Sequence, residues 1–370
     1  MALSKIGSAG LASGAVEAAD IADGAITSAK LANPNVFMGR NRIINGAMMI
    51  DQRNAGAAVT TSDSYPVDRF FVGNSTDGAF SAQQNSSSPA GFINSTKITV
   101  TTADASVTTT QALQFRHIIE GTNVADLGWG TADAKTVTLS FWVRSSLTGT
   151  FGGAFNNSAF NRSYPFTYTI SVADTWEYKT ITVPGDTSGT WLTTNGTGLN
   201  IRFGLGVGPD RSGTAGAWAG SSYISATGAT SVIGTLNATW YITGVQLEVG
   251  STATDFERRP YGMELALCQR YYFEIEGGTQ IPCYQNTTSM TGTVSLPVPM
   301  RTVPSISRGA GDCYVWSYNT FYSTSTTTMT IADHGPTSMQ AITNTGFSGM
   351  GSLTVGVYQS NSKIYLSAEL

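Results

Sequence analysis

GLNIRFGLGVG, residues 198–208, is the stretch on which the fold turns. Leu199, Ile201, Phe203, Leu205 and Val207 recur at every second position and share one face of an extended chain. Asn200, Arg202, Gly204, Gly206 and Gly208 share the other. Burying the aliphatic and aromatic row contributes about 8–15 kcal/mol gross, at roughly 1.5–3 kcal/mol per side chain. KTVTLSFWVR, residues 135–144, repeats the pattern, with Val137, Leu139, Phe141 and Val143 on one face and Thr136, Thr138, Ser140 and Trp142 opposite.

Working outward, further strands are expected at 97–100, 166–171, 176–183 and 239–249. Asn45-Gly46, between Ile43-Ile44 and Met48–Ile50, predicts a hairpin turn, and YPVDRFFV (65–72) a strand start with Asp68 and Arg69 as a local ion pair. Short alternating strands separated by Gly, Asn and Ser loops, with no repeated βα units, predict an all-β protein. Its body, residues 36–276, is expected to be an antiparallel jelly-roll sandwich. Pro260 opens a helix expected over 262–272, in which Met263, Leu267 and Tyr271 form a stripe. After Gly277-Gly278, residues 277–370 return to Thr- and Ser-rich patterns, with strands expected at 294–299, 313–318, 323–331 and 352–358 and at the closing KIYLSAEL. They predict a smaller C-terminal β domain.

Residues 1–35 are organised differently. Ile6, Leu11, Val16, Ile21, Ile26 and Leu31 recur every fifth position through the pentads IGSAG-LASGA-VEAAD-IADGA-ITSAK-LANPN. Five residues advance a helix by about 500°, which scatters the six side chains around it. In a strand the odd period throws them onto alternate faces. One aliphatic residue per pentad makes no monomeric core, so the expectation is an extended arm that orders by self-association or against a partner, the alternative being a flexible Ala/Gly-rich linker.

Charged residues make up 12% of the 370 positions, about half the usual globular share, and the net charge is -4. That balance argues against a nucleic-acid surface, which needs clustered Lys and Arg. The only basic pair of note, Arg258-Arg259, follows Glu257 and reads as salt-bridged or solvated. Cys268, Cys283 and Cys313 lie far apart, signalling neither a zinc site nor a disulfide framework, and are expected as buried thiols. MALSKIGSAG contains no apolar run of signal-peptide length, and no stretch reaches 18 apolar residues. The expectation is a chain assembled inside a cell, without membrane insertion.

Nothing in the sequence marks catalysis. His117 and His334 lack ligand or triad spacing, and GLGVG (204–208) sits in a strand pattern followed by Pro209, which excludes a nucleotide loop. Of Glu120, Asp126, Asp174, Glu177, Asp186, Asp210, Glu248 and Glu257, most lie in turns or on polar strand faces and read as solvated carboxylates. No catalytic residue, metal site or cofactor is expected. Sugar binding asks for less: an aromatic ring for the sugar face and polar partners for hydroxyls. Trp129, Trp191, Trp218, Tyr223 and Trp316, in or near Gly/Ser-rich segments, are the candidates for it. Trp142 and Trp240 read as second-face core or interface residues.

Several segments in order carry a family resemblance: ADGAITSAKLA, NRIINGAMMIDQRN, YPVDRFF, KTVTLSFWVRSSLTGTFGG, RSYPFTYTI, TWEYKTITVPGDTSGTW and YITGVQLEVGSTATDFERRPYGMELALCQRYY. From residue 15 to about 275 the chain resembles tail-fibre or appendage proteins of tailed bacteriophages and prophages. The resemblance implies a virion structural protein, homotrimeric, with a jelly-roll body likened to carbohydrate-binding modules. It implies attachment to other virion proteins through the N-terminal arm and a distal part that contacts the host, where a surface polysaccharide is the expected partner. It implies no catalytic residue, and it makes Gln246, Glu248, Phe256, Arg258, Arg259 and Pro260 a structural closing strand and linker. Beyond 277 the likeness fades.

Overall fold

The computed structural model describes residues 39–285, 287–317, 320–324, 328–331, 339–345, 347 and 354–370. The arm residues Ile6, Leu11, Val16, Ile21, Ile26 and Leu31 lie outside the described residues, as do His334 and parts of the strands expected at 323–331 and 352–358. The described chain is almost entirely β-sheet. Its first part carries β1 (Ser64–Val67), β2 (Phe70–Asn74), β3 (Ala79–Asn85), β4 (Ser95–Thr102), β5 (Ala112–Glu120), β6 (Val137–Ser145) and β7 (Gly149–Asn156). There follow β8 (Ser163–Ile170), β9 (Glu177–Val183), β10 (Thr197–Val207), the two-residue strands β11 (Ser212–Gly213) and β12 (Ser225–Ala226), and β13 (Thr239–Val249).

Two antiparallel sheets, ordered β1-β2-β5-β10-β7-β8 and β3-β4-β13-β6-β9, face each other. The alternation dictates how they meet. Val137, Leu139, Phe141 and Val143 on β6 and Leu199, Ile201, Phe203 and Leu205 on β10 are fully buried between them. Phe203 packs edge-on against Phe141 with ring centroids 5.1 Å apart. The indole N–H of Trp240 crosses the core to donate to the Tyr168 hydroxyl at 3.2 Å. The expected row on β10 breaks at its end: the register shifts after Gly204, and Val207 is only half-buried.

The hairpin expected around Asn45-Gly46 does not form. Asn45 and Met48 both adopt positive φ, 61° and 56°, and the Asn45 side chain ties the turn to its surroundings. It donates to the carbonyls of Ile50 and Asp68 and accepts from the Ile50 N–H. Instead of pairing with itself, the segment runs beside β13, where Arg42 N–H donates to Leu247 O and Val245 N–H to Gly46 O, each at 2.9 Å. Only glycine fits at 46, since a Cβ there would meet the Val245 carbonyl oxygen at 2.1 Å.

Helix α1 (Tyr261–Gln269) begins at Pro260 as expected but stops short of Tyr271. The stripe Met263–Leu267–Tyr271 is therefore not its packing face: Met263 is 43% exposed, whereas Cys268 and Tyr271 are buried against Ile44 and Ile50. The remaining strands are β14 (Tyr272–Ile275), β15 (Gln280–Gln285), β16 (Ser289–Ser295), β17 (Ser305–Arg308), β18 (Cys313–Ser317) and β19 (Thr320–Thr324). The last four are β20 (Thr328–Ile331), β21 (Met339–Thr345), β22 (Thr354–Ser360) and β23 (Ile364–Ser367). They form a seven-stranded and a three-stranded sheet, and none joins a body sheet. Their own core includes Ile281, Met290, Val315, Tyr358 and Leu366. None of the three cysteines forms a disulfide, and all three are buried.

Asp68 and Arg69 do not pair with each other, because the β1–β2 turn they occupy points them to different partners. Asp68 meets Arg53 at 3.3 Å, and Arg69 meets Glu369 while its guanidinium lies 3.5 Å over the Tyr271 ring. Arg270 and the Tyr271 hydroxyl both bind Glu120. Burial opposes charge on Glu120, but these partners and Thr122 hold its carboxyl below the ordinary range. His117, fully buried against Phe70, is pushed well down by burial and by Arg69, so it is a neutral core residue.

Phe203→Asp should be among the most damaging single changes in the body, since truncating a core Phe alone costs about 3–5 kcal/mol and a buried charge adds to that. Denaturant midpoints would read it, and a stable variant would show that the two sheets do not share this core. A second expectation concerns pH. Burial raises the Asp68 carboxyl from 3.8 to about 6 in spite of Arg53. The folded chain therefore keeps a proton that the unfolded chain has lost. The stability this group supplies is complete below its unfolded value and disappears as pH rises through about 6. Asp68→Asn should flatten the decline in urea midpoint across that window; superimposable profiles would rule the group out.

Candidate functional site

The outer face of the five-stranded sheet carries the arrangement best suited to holding a ligand. Central strand β13 is regular against β6 as far as Thr243 and resumes at Gln246, with a bulge between. Bulges bend a strand and redirect its neighbours, and a glycine inside a strand pattern is their usual mark. Gly244 occupies this one with φ 62°. A Cβ on it would meet Phe92 at 2.7 Å and Trp142 at 3.1 Å. The absent side chain leaves the floor of a groove of about 630 Å³.

Its walls are aromatic. Trp142 on β6 lies directly opposite Tyr178 on β9, with ring centroids 5.4 Å apart and planes inclined at 48°. Tyr178 is 43% exposed. Its hydroxyl is raised above its ordinary value, chiefly by burial and then by the charges of Glu248 and Asp255, while a hydrogen bond with Ser140 opposes the rise. Across the floor Phe92 meets Phe256 edge-on at 5.1 Å, and the exposed Arg258 guanidinium lies 4.8 Å over Phe92. Asp255 and Thr254 complete the lining. Arg258, Phe92 and Phe256 also border a second hollow of about 230 Å³, reaching Tyr261 and Ile93.

The two arginines of the basic pair separate. The Arg259 side chain, 8% exposed, is paired with Glu257 and Glu264 and donates to the carbonyls of Ile43 and Asn41. Glu257 accepts from the Gly39 and Asn41 N–H groups, and Glu248 from the Thr254 N–H and hydroxyl. These clamp the linker behind the groove, leaving Arg258 free to face it. Trp240 is core, whereas Trp142 lines the outer groove.

The tryptophans singled out in the sequence come together elsewhere. Trp129, Trp191 and Trp218 form a mutual edge-to-face cluster, with centroids 4.8, 5.3 and 5.5 Å apart. Their indole N–H groups donate to the carbonyls of Lys135, Ser188 and Pro184, and beside them Asp186 takes Arg162 in a two-bond fork at 2.7 Å. Trp129 is buried, so the open ring surface belongs to Trp191 and Trp218. Tyr223 packs on Gly213, away from the cluster, and Trp316, 43% exposed, belongs to the seven-stranded sheet. Tyr178, Phe92, Phe256 and Gly244 were missed; a Trp on the polar row of a strand and a Gly within 239–249 were the available signals.

Among the described residues, no group of three or more His, Cys, Asp or Glu could hold a metal ion. Most of the carboxylates considered in the sequence are engaged, for example Asp126 with Arg42, Asp174 with Arg144 and Glu177 with Lys179. No described helix is long and apolar enough to cross a membrane.

No family model and no curated protein matches the chain. Solved structures similar to it include the enzymatically active domain of bacteriophage CBA120 tailspike protein 4, at 12% identity and a TM-score of 0.31. That match covers 57% of this chain and 22% of the tailspike chain. A CBM4 structure is 15% identical, with a TM-score of 0.27, covering 56% of this chain and 98% of that one. A putative sugar binding protein from Bacteroides thetaiotaomicron is 12% identical, with a TM-score of 0.32, covering 57% and 100%.

Gly244→Val should close the groove and strain the bulge, lowering stability by about 1–3 kcal/mol. Melting temperature and tryptophan emission would report it, and a variant indistinguishable from wild type would mean that the floor is not packed as described.

Proposed function

We propose that this chain is a non-catalytic appendage protein of a phage virion, whose jelly-roll body binds a glycan of the bacterial surface. The observation that carries the reading is the open groove on the five-stranded sheet, where the Trp142–Tyr178 pair faces Arg258 and Asp255. Aromatic faces take the C–H surface of a sugar ring, and charged or amide groups at the rim take its hydroxyls. Trp191 and Trp218 offer a second, smaller aromatic surface. The engagement of most carboxylates in ion pairs and backbone hydrogen bonds supports binding without cleavage. In this reading the pentad arm of residues 1–35 joins three copies and docks them on other virion proteins, as the sequence resemblance implies.

Binding of the purified full chain to host surface polysaccharide, measured by calorimetry, tests this. Trp142→Ala combined with Tyr178→Ala should weaken binding about tenfold or more, equivalent to ~1.4 kcal/mol, while Trp191→Ala has a smaller effect. Absence of binding by the wild type would leave a connector without a receptor role. Release of reducing ends from the polysaccharide would replace binding with depolymerisation.

A further inference from the structure

The polar row of β10 is buried as well as the apolar one. Arg202 is 5% exposed and Asn200 fully buried. Arg202 stands directly opposite Arg116 of β5 on the outer face of the six-stranded sheet, an arrangement of like charges that ordinarily destabilises a sheet. Among the described residues neither guanidinium has a carboxylate within ion-pair distance or a hydrogen-bond acceptor. Each lies instead on an aromatic ring, Arg116 at 4.0 Å over Phe71 and Arg202 at 4.3 Å over Phe160. Neither Oδ1 nor Nδ2 of Asn200 has a partner, and across β7 the Oδ1 of Asn156 is also unpartnered.

Each unmet buried amide costs about 1–3 kcal/mol, and an unpaired buried cation costs more. A face that keeps several such groups side by side is built for something that satisfies them. We propose that it is an oxyanion site which takes the carboxylate of an acidic sugar. The paired guanidinium forks receive the carboxylate, and the partly exposed ring of Phe160 covers the sugar. A bare inorganic anion would leave the ring unused. Burial, followed by the charges of Arg116 and Arg211, pushes Arg202 down to about 9, which agrees with a cation lacking its counter-charge. The nearest acidic influences on Arg116, Tyr65 and Asp63, act on it without an ion pair. The site lies on the sheet opposite the Trp142 groove and stands or falls separately from it.

Thermal unfolding of the full chain in sodium D-glucuronate, D-glucose, sodium sulfate and sodium chloride, at matched ionic strength, tests the proposal. Glucuronate should raise the melting temperature saturably above chloride, with no effect from glucose. Arg116→Gln and Arg202→Lys should each weaken that response about tenfold. If Arg202→Lys fails to fold, the half-buried Arg116 decides the matter through its own variant. A response to sulfate without one to glucuronate, equal shifts in glucuronate and chloride, or a wild-type response in Arg116→Gln would each overturn the assignment.

Discussion

One irregularity in one strand constrains much of the body. Between Thr243 and Gln246 the ladder of β13 against β6 is interrupted, and the two sides of that interruption do different work. On the outer side Gly244 lets Phe92 and Trp142 approach over an empty floor. Along its edge, where β4 has stopped pairing at Ile242, Val245 and Leu247 are left to bond the segment around Asn41–Gly46. A regular strand would have placed a side chain in the groove and shifted the residues that receive this segment. The groove and the attachment of the leading segment are therefore two results of a single backbone choice, which only glycine at 244 permits without strain.

What was legible in the sequence was whatever depends on period. Two-residue alternation in 137–143 and 199–205 placed the core, and Thr239–Val249 was found to the residue, because burial on one face imposes that pattern. What was not legible depends on pairing. Asn45-Gly46 carries the dipeptide of a tight hairpin, yet a neighbouring strand offers its backbone better partners than it can offer itself, and no local pattern records that competition. The stripe ending at Tyr271 failed because the helix stops at Gln269, two residues before its last member. The grouping of Trp129, Trp191 and Trp218 is likewise invisible: three loops far apart in sequence meet through the Arg162–Asp186 fork and the main chain beside it. Trp142 gave the groove away in part, since a large aromatic ring has no reason to stand on the polar row of a strand whose other row already fills the core.

The charged groups are distributed with a similar economy. With charged residues at 12% of the chain, those that are present are concentrated at joints. Glu257 and Arg259 lock the linker to the leading segment, and Glu120, Arg270 and Arg301 tie helix α1, the 195 loop and the last residues together. Buried pairs of this kind add little net stability compared with apolar packing, but they are severe on any structure in which one partner is missing.

That severity bears on the order in which the chain can be completed during synthesis. Arg69, buried at the turn between the first two strands, finds its carboxylate in Glu369, 300 positions later. The Tyr271 ring that covers this guanidinium and the Glu369 carboxylate that pairs with it both follow β13, so a body without them leaves Arg69 uncovered and unpaired. The sandwich is thus finished only when the C-terminal sheets are in place. The two halves, though their cores are separate, mature as one product of translation, and a body cut free after β13 would inherit the defect permanently.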